Sequence, residues 1–261
     1  MITIKTKRDF EKMAVAGTAV AAVLDAVEEA ARPSVSMKEL DELAAGIIRA
    51  HDCEPSFLGY HGFPGHICTS PNDVIVHGIP GSYKLREGDI LSIDAGAIYK
   101  GWHGDAAITF AVGEVAPEVA QLLKVTEEAL WAGIGQVRAG ARLGDIGHAV
   151  SQEAETVGVG VVREYVGHGI GRQMHEEPQV PNFGEPGTGM RIRKGMAICI
   201  EPMFNLGGQE TQVEDDGWTV KTADGSLSAH FEHTVAVTAE GPRVLTAAED
   251  ARDLVQPKRS R

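Results

Sequence analysis

The sequence predicts an α+β fold made of two similar halves. Two observations predict the elements: long stretches with helical spacing of apolar residues, and short β-branched runs punctuated by Gly and Pro. A third observation is that the same order of elements occurs twice, at an offset of 107 residues. Because the strand-like runs are short and end at turn residues, we expect helices mixed with largely antiparallel strands, which is the α+β class.

Helices are predicted at the start of each half. Helix-forming composition and helical apolar spacing cover residues 9–31, 37–52, 117–137 and 144–159. The second of these has a clear start signal, because Ser36 is a good N-cap and Glu39 follows three residues later, as in a capping box. The predicted strands are the β-branched runs at residues 90–93, 108–112, 197–200 and 234–237.

The repeat is clearest where each half ends a strand in an acidic residue. Residues 85–94 read LREGDILSID and residues 192–201 read IRKGMAICIE, so Asp94 and Glu201 occupy equivalent places. Duplication of a structural unit without any chemistry would also explain a repeat. A carboxylate at the end of both strands favours a functional role instead.

The repeat also suggests the domain organisation. We expect a single domain over residues 1–261, with internal halves at about 5–112 and about 113–248. Residues 249–261 carry the main basic run of the chain and are predicted to be a flexible tail.

Composition excludes several classes of protein. The 261 residues carry a net charge of −13, which gives no support for binding nucleic acid or an anionic membrane. The N-terminus lacks the apolar core of a signal peptide, and the most apolar stretch is too short to span a bilayer. Three scattered cysteines, Cys53, Cys68 and Cys199, do not make a disulfide framework. We expect a cytoplasmic protein, with a monomer as the default state.

A pair of aspartates on a predicted hairpin is the first candidate for metal binding. The segment 88–110 reads as two strands with a turn near residues 99–101. A turn centred between Tyr99 and Lys100 would place Asp94 directly opposite Asp105 on the same face. Two carboxylates there repel each other unless a divalent cation lies between them. The alternative is that one or both aspartates face solvent.

The second half supplies three more residues of ligand type. Glu201 ends an apolar strand and is followed by Pro202, while Glu232 comes directly before a predicted strand. A carboxylate at the end of a buried strand is costly unless it is paired or bound to metal. His168 lies between glycines that allow a close backbone approach, although a structural turn histidine is the alternative. Four carboxylates and one imidazole suffice for two cations.

Five spaced motifs then carry a family resemblance over about residues 5–248. They are FLGYHGFPGHICTSPNDVIVHGIP, LSIDAGAIYKGWHGDAA, GHGIGRQMHEEPQVPNFG, GMAICIEPMF and SAHFEHTVAVT. In these motifs the chain resembles the type I methionine aminopeptidases of peptidase family M24, in their compact bacterial form. The resemblance implies the pita-bread fold, in which two pseudo-symmetric halves surround a mostly antiparallel curved sheet. The whole chain would then be one catalytic domain.

The resemblance also implies a metal site and a reaction. The implied ligands of two divalent ions (Co, Mn, Fe or Zn) are Asp94, Asp105, His168, Glu201 and Glu232. The motif match selects His168 over its repeat partner His61, which spacing alone leaves open. The implied reaction is hydrolysis of the first peptide bond by a hydroxide that bridges the metals, with Glu201 as the proton shuttle. His175 would stabilise the oxyanion and His77 would contact the scissile amide nitrogen.

A methionine side chain needs an apolar and polarizable slot. The resemblance implies a slot lined by Phe57, Tyr60, Phe63, Cys68, Met174 and Trp218. An ordinary core cluster is the alternative for these residues. The sequence departs from its relatives at three of them: Met174 stands where an aromatic residue is common, and Phe57 and Phe63 stand where Cys and Tyr are familiar. A walled pocket beyond the scissile bond would restrict cleavage to small second residues.

The implied partners are nascent polypeptides that begin with methionine, and association with ribosomes is left open. Three other functions are the alternatives. An aminopeptidase P or prolidase of the same fold usually carries an extra N-terminal domain, for which 261 residues leave no room. A catalytically silent binding protein on this scaffold would have lost ligands, whereas all five are present. A dinuclear phosphoesterase has motifs that this chain lacks.

Overall fold

The computed structural model describes residues 2–247. Its helices are α1 (Lys7–Ala30), α2 (Met37–Ala50), α3 (Pro117–Ile134) and α4 (Leu143–Val157), with a 3₁₀ turn at Tyr60–Gly62. The helices therefore lie where helical spacing of apolar residues predicted them. The predicted capping box is also present, because the Ser36 hydroxyl accepts from the Glu39 amide and the Glu39 carboxylate accepts from the Ser36 amide.

Short strands make up the rest of the regular structure. They are β1 (Glu54–Pro55), β2 (Ile67–Pro71), β3 (Val74–Val76), β4 (Ile90–Tyr99), β5 (Trp102–Ala111), β6 (Gly160–Val161), β7 (Gly167–Gly169), β8 (Glu176–Val180), β9 (Ala197–Ile200), β10 (Met203–Asn205), β11 (Thr211–Val213), β12 (Val220–Thr222), β13 (Ser228–His230), β14 (Glu232–Val237) and β15 (Pro242–Val244). Nine of them form the main sheet, in the order β1-β4-β5-β14-β9-β7-β8, with β2 added to β4 and β15 to β14. The pairings within the described chain are antiparallel, so the predicted α+β class is confirmed.

The register of the β4–β5 hairpin differs from the prediction. Asp105 pairs with Gly96, and Asp94 pairs with Ala107, so the two aspartates are not directly opposite each other. The turn is centred one residue later than expected, because Lys100 and Gly101 both have positive φ, at 50° and 73°. Two-residue turns of this kind fit the twist of paired strands. A shift of two pairs keeps both carboxylates on the same face.

Helices cover one face of the sheet and leave the other for the site. The first half buries the apolar faces of α1 and α2 against β4 and β5, and the second buries α3 and α4 against β9 and β14. The α1 helix approaches β5 very closely, since a Cβ on Gly104 would lie 2.8 Å from the amide nitrogen of Gly17. Residues that alternate with the helix-facing ones on β4, β5 and β14 therefore point into a cavity on the opposite face.

The order of elements in the two halves follows the offset read from the sequence. β4 begins at Ile90 and β9 at Ala197, while α2 ends at Ala50 and α4 at Val157. The boundaries of the halves stay a prediction, and the predicted tail at 249–261 lies outside the described residues. Across residues 2–247, no helix combines the length and the apolar character needed to cross a bilayer.

Candidate active site

The five predicted metal ligands come together at one cavity. β4 contributes Asp94, β5 contributes Asp105 and β7 contributes His168. Glu201 follows the last residue of β9, and Glu232 is the first residue of β14. All five line the same cavity of about 170 Å³. Residues that are far apart in the chain converge here because their strands are neighbours in the main sheet.

The distances within this group fit a bound cation better than direct hydrogen bonds. The Nε2 atom of His168 lies 3.6 Å from Oε1 of Glu201 and 3.9 Å from Oδ2 of Asp105. Both separations exceed the range of a hydrogen bond. Nitrogen and oxygen ligands lie roughly 2.0–2.2 Å from a divalent ion such as zinc, so two ligands of one ion lie within about 4.4 Å of each other.

Unsatisfied carboxylate oxygens point to the same conclusion. Among the described residues, one buried oxygen on each of the four carboxylates has no hydrogen-bond partner: Oδ1 of Asp94, Oδ1 of Asp105, Oε1 of Glu201 and Oε1 of Glu232. A buried polar atom without a partner is costly and rare in native proteins. Divalent cations would satisfy all four oxygens, and hard or borderline cations prefer this donor set. The residues present therefore fit the metal centre that the sequence predicts.

Without bound cations, the four carboxyl groups have raised pKa values, so they ionise less readily than usual. Burial raises the pKa of Asp94 to about 7. Burial, followed by repulsion from the neighbouring carboxylates, raises the pKa of Asp105, Glu201 and Glu232 well above the usual range. A site that gathers this much potential negative charge out of water needs either protons or cations to be stable.

The imidazole of His168 is held with one nitrogen toward the backbone and the other toward the carboxylates. Its Nδ1 lies 2.8 Å from the carbonyl oxygen of Gly169, so the Nδ1–H donates to the backbone and leaves the Nε2 lone pair facing the carboxylates. Burial, and then the nearby His175, lowers the pKa of His168 to about 3, which keeps the ring neutral. Its repeat partner His61 is exposed in the 3₁₀ turn, with a left-handed φ of 48°.

A cysteine that sequence reasoning did not single out lies beside the ligands. Ligand atoms of Asp105, His168, Cys199 and Glu232 all lie within 4.8 Å of one another. The Cys199 Sγ is also 3.6 Å from the hydroxyl of Thr234. Burial and the adjacent carboxylates raise the pKa of this thiol well above its usual value. Alternation along β9 could have revealed it, since Cys199 precedes Glu201 by two positions and shares its face.

The predicted apolar slot adjoins these ligands. Phe57, Phe63, Cys68 and Met174 form one buried cluster, and Tyr60 and Trp218 pack against it. The Phe63 ring contacts the rings of Phe57 and Trp218 edge-on, with centroids 6.5 and 5.1 Å apart. The six side chains line the same cavity as the carboxylates.

Two strand positions explain why the slot opens onto the ligands. Cys68 on β2 is the cross-strand partner of Asp94 on β4. Two residues further along β4, Gly96 leaves room for a slot residue, because a Cβ there would lie 2.9 Å from the Phe57 ring. A larger residue at Gly96 would force Ser56 and Phe57 to shift.

The two predicted substrate-binding histidines, His77 and His175, both line the cavity. His77 has a left-handed φ of 61°, an uncommon conformation that often marks functional sites, and burial lowers its pKa to about 4. His175 is exposed at the cavity mouth, and its Nδ1 lies 2.7 Å from the hydroxyl of Tyr60. The His175 and His168 ring centroids are 4.3 Å apart. Desolvation, and then His61, lowers the pKa of His175.

Four further residues of the cavity wall were missed by sequence reasoning: Val76, Tyr165, Val166 and His230. The most notable is His230, which is buried and whose Nε2 finds no hydrogen-bond partner within residues 2–247. That atom lies 4.0 Å from Oε2 of Glu232, and burial lowers the pKa of the ring to about 3. Its position two residues before Glu232, inside the SAHFEHT motif, was the available signal.

The chain is similar to known proteins over most of its length. The model of metallopeptidase family M24 matches residues 11–239. A methionine aminopeptidase from Clostridium acetobutylicum is 48% identical over 250 residues, which are 95% of this chain and 100% of that relative. Methionine aminopeptidase 1 from Mycobacterium tuberculosis is 50% identical over 245 residues, which are 91% of this chain and 92% of that relative.

Solved structures give the same picture for the fold. The crystal structure of a methionine aminopeptidase from Thermotoga maritima superposes with a TM-score of 0.93 at 45% identity, and the match covers 95% of this chain and 100% of that one. A prolidase from Pyrococcus furiosus superposes with a TM-score of 0.76 at 21% identity, over 94% of this chain and 66% of that one. The second likeness shows a shared fold alone, which is the pita-bread fold that the motifs implied.

Proposed function

The chain belongs to the methionine aminopeptidases of metallopeptidase family M24, and we propose that it removes the initiator methionine from nascent polypeptides whose second residue is small. The observation that carries the proposal is the direct continuity between an apolar slot and a group of four carboxylates and one imidazole in the same cavity. A methionine side chain in the slot would bring the first peptide bond next to the carboxylates. A proline-specific reaction has no specific observation in its favour.

We propose two divalent cations at this site, held by Asp94, Asp105, His168, Glu201 and Glu232. The donor set suits Co, Mn, Fe or Zn, and does not select among them. When bound, such cations supply Lewis acidity, which polarises a peptide carbonyl and makes a water molecule a stronger acid. Two ions rather than one are proposed because five side chains with four unsatisfied oxygens exceed the needs of a single tetrahedral ion.

Glu201 is the residue we propose as general base and general acid. Its carboxylate lines the cavity beside the other proposed ligands, where it would reach a water molecule and the leaving amine and could accept a proton and return it. Proton uptake from the attacking water and delivery to the leaving amine both need such a group. The leaving amine would otherwise depart as an unstable anion.

His175 is proposed to stabilise the oxyanion. Its lowered pKa keeps the ring neutral, with one nitrogen donating and the other accepting. When the Tyr60 hydroxyl donates to Nδ1, the proton of the ring lies on Nε2 and can be donated to the substrate carbonyl oxygen. His77, which is also neutral, is proposed to contact the amide nitrogen of the bond that breaks.

The substrate preference is proposed to arise from two parts of the cavity. The slot lined by Phe57, Phe63, Cys68 and Met174 takes the methionine side chain through apolar and sulfur–aromatic contacts. The second residue of the substrate would lie toward the rings of His77, Tyr165 and His230, which would limit its size. Because the substrate is a nascent chain, we propose that the enzyme acts in the cytoplasm.

The test is an aminopeptidase assay on protein stripped of metal and then supplied with Mn²⁺ or Co²⁺. The peptides are Met-Ala-Ser, Met-Leu-Ser, Leu-Ala-Ser and a Met-Pro peptide. We expect release of methionine that depends on metal, is strongest from Met-Ala-Ser and is lost in Asp94→Ala and Glu201→Ala. Glu155→Gln, an exposed change on α4, is the control and should keep full activity. No release with any metal, or cleavage of Xaa-Pro bonds alone, would overturn the proposal.

A further inference from the structure

We infer that Lys5 is a positioning residue for the reaction, which acts through Glu176 to hold His175 in place. The inference rests on the proposed function, because the role of His175 in the reaction is part of that proposal. It assigns a further role to the segment that precedes α1. Nothing in the sequence motifs pointed to this segment. The observation behind it is an ion pair between the N-terminal segment and the residue next to His175.

The ion pair is almost completely buried. The Lys5 Nζ lies 2.8 Å from Oε2 of Glu176, and the two side chains are only 2% and 6% exposed. The ammonium group also donates to the hydroxyl of Thr3 at 2.6 Å, and the same hydroxyl donates to Glu176. Lysine is rarely buried unless it is paired, so this contact is a specific feature rather than a surface ion pair.

Glu176 joins the N-terminal segment to the loop that carries His175. One carboxylate oxygen, Oε2, accepts from Lys5 and Thr3. The other, Oε1, accepts from the backbone amides of Arg172 and Gln173, at 2.8 and 3.2 Å. A single carboxylate therefore closes the loop at residues 172–176 and attaches it to residues 3–5.

The loop is built to let the lysine pass across it. A Cβ on Gly171 would lie 2.6 Å from Cε of Lys5 and 2.7 Å from Oε1 of Glu176, so a larger residue there would force these two side chains to shift. The Gly171 carbonyl oxygen accepts from the backbone amide of His103 on β5, at 2.9 Å. The loop thus has one attachment to the sheet that carries Asp105 and another to Lys5.

The N-terminal segment is itself held firmly enough to act as an anchor. The Lys5 amide donates to the Gly195 carbonyl oxygen at 2.7 Å. The next residue, Thr6, caps α1 and forms a reciprocal capping box with Asp9. Since α1 packs on β4 and β5, the position of the Lys5 ammonium is fixed relative to the sheet.

These attachments determine where His175 lies. It precedes Glu176 directly, and Glu176 pairs with Gly169, the neighbour of His168. The ring of His175 lies at the exposed mouth of the cavity, where Tyr60 is its hydrogen-bonding neighbour. The ring moves with the backbone that carries it, and its centroid lies 4.3 Å from that of His168. A misplacement of about 1 Å can cost a catalytic group on the order of 100-fold in rate.

The test compares Lys5→Met, Lys5→Arg and the core variant Ile146→Ala with the unchanged chain, each as the manganese-loaded protein. Steady-state kinetics on Met-Ala-Ser give kcat and KM, and hydrogen exchange reports on the peptide that spans residues 170–176. We expect Lys5→Met to lower kcat by about 10- to 100-fold with a KM change below about threefold, and to speed exchange in the loop. Lys5→Arg should restore most of kcat. Ile146→Ala, which only removes core packing, should lower the melting temperature and keep kcat.

A purely structural role gives a different result. If Lys5→Met lowers the melting temperature while kcat and loop exchange stay unchanged, the inference is overturned. If Lys5→Met does not fold, Thr3→Val decides, because Thr3 is exposed and its loss removes one donor from Glu176. A fall in kcat of about two- to fivefold supports the inference, and an unchanged kcat overturns it. If the unchanged chain releases no methionine, the proposed function fails by itself, and loop exchange in Lys5→Met then decides the positioning role.

Discussion

The Nε2 atom of His168 lies 3.6 Å from Oε1 of Glu201, although 32 residues separate them in the sequence. The gap is too long for a hydrogen bond and short enough for two ligands of one cation. The same ring is fixed from its other side by the Gly169 carbonyl oxygen. The distance is that expected for two ligands of one cation. Each proposed ligand can therefore be tested by its own substitution.

Loss of one ligand should remove both metal and activity. For Asp105→Ala we expect at least one metal equivalent fewer by elemental analysis, and little methionine release. For Glu201→Gln we expect kcat to fall by about 10²- to 10⁴-fold, the usual contribution of a general acid or base. Glu155→Gln serves as the control in both measurements. Full metal content and activity in Asp105→Ala would show that this aspartate is not a ligand.

Divalent cations should stabilise the fold. Because one buried oxygen on each of the four carboxylates has no hydrogen-bond partner among the described residues, cation binding to the native state should shift the unfolding equilibrium. At about 100 times the dissociation constant we expect roughly 2.7 kcal/mol of added stability, or a rise in melting temperature of roughly 5–10 °C. Thermal unfolding with and without Mn²⁺ measures it. An equal rise in Asp105→Asn would contradict binding at this site.

Trp218 should contribute to substrate affinity rather than to the chemical step. Its ring closes the slot next to Phe63 and is partly exposed, so truncation should leave the fold intact. For Trp218→Ala we expect about a tenfold loss in kcat/KM on Met-Ala-Ser, mostly through KM. Leu58→Ala is the matched control, because Leu58 is 48% exposed on the neighbouring loop. A loss confined to kcat would instead place Trp218 in the reaction itself.

The contact between Tyr60 and His175 should be measurable by a double-mutant cycle. Tyr60→Phe removes only the hydroxyl 2.7 Å from Nδ1 of His175, and we expect kcat to fall about 2- to 10-fold. His175→Ala should cost about 10²- to 10³-fold, as expected for an oxyanion donor. Combining the two should add nothing, since the hydroxyl acts through the ring. Independent and additive losses would contradict this arrangement.

Glu176 should make the stability of the protein sensitive to acid. Burial would raise its pKa, but the hydrogen bonds from Lys5, Thr3 and the loop amides outweigh burial and lower it. A carboxyl group with a lowered folded-state pKa contributes stability that is fully present above the unfolded pKa of about 4.3. That contribution is lost as the pH falls through the lower folded value.

The measurement compares urea unfolding of the unchanged chain with that of Glu176→Gln between pH 3 and pH 6. The difference in unfolding free energy should be largest near pH 6 and should shrink below about pH 4. A difference that is constant over this range would mean that the folded-state pKa of Glu176 is not lowered.

The β4–β5 hairpin shows which features of the site can be predicted from the sequence and which cannot. The alternation of side chains predicted that Asp94 and Asp105 share a face, and the structure agrees with that placement. Their exact pairing was predicted wrongly, because it depends on which two residues of the turn adopt positive φ. Local sequence determines the period of a strand, whereas the register depends on the turn and on both strands together.

Sequence patterns alone were enough to predict the α+β class, the repeat, the capping box at Ser36 and the residue types of the site. Those features depend on periodicity, local hydrogen bonds and spaced motifs, which a single chain displays directly. The packing of the folded chain was needed to bring Cys199 and His230 beside the predicted ligands and to place Lys5 against Glu176, 171 positions away. Contacts of that range arise when sheet strands and helices pack, and no local pattern encodes which distant side chain will fill the remaining space.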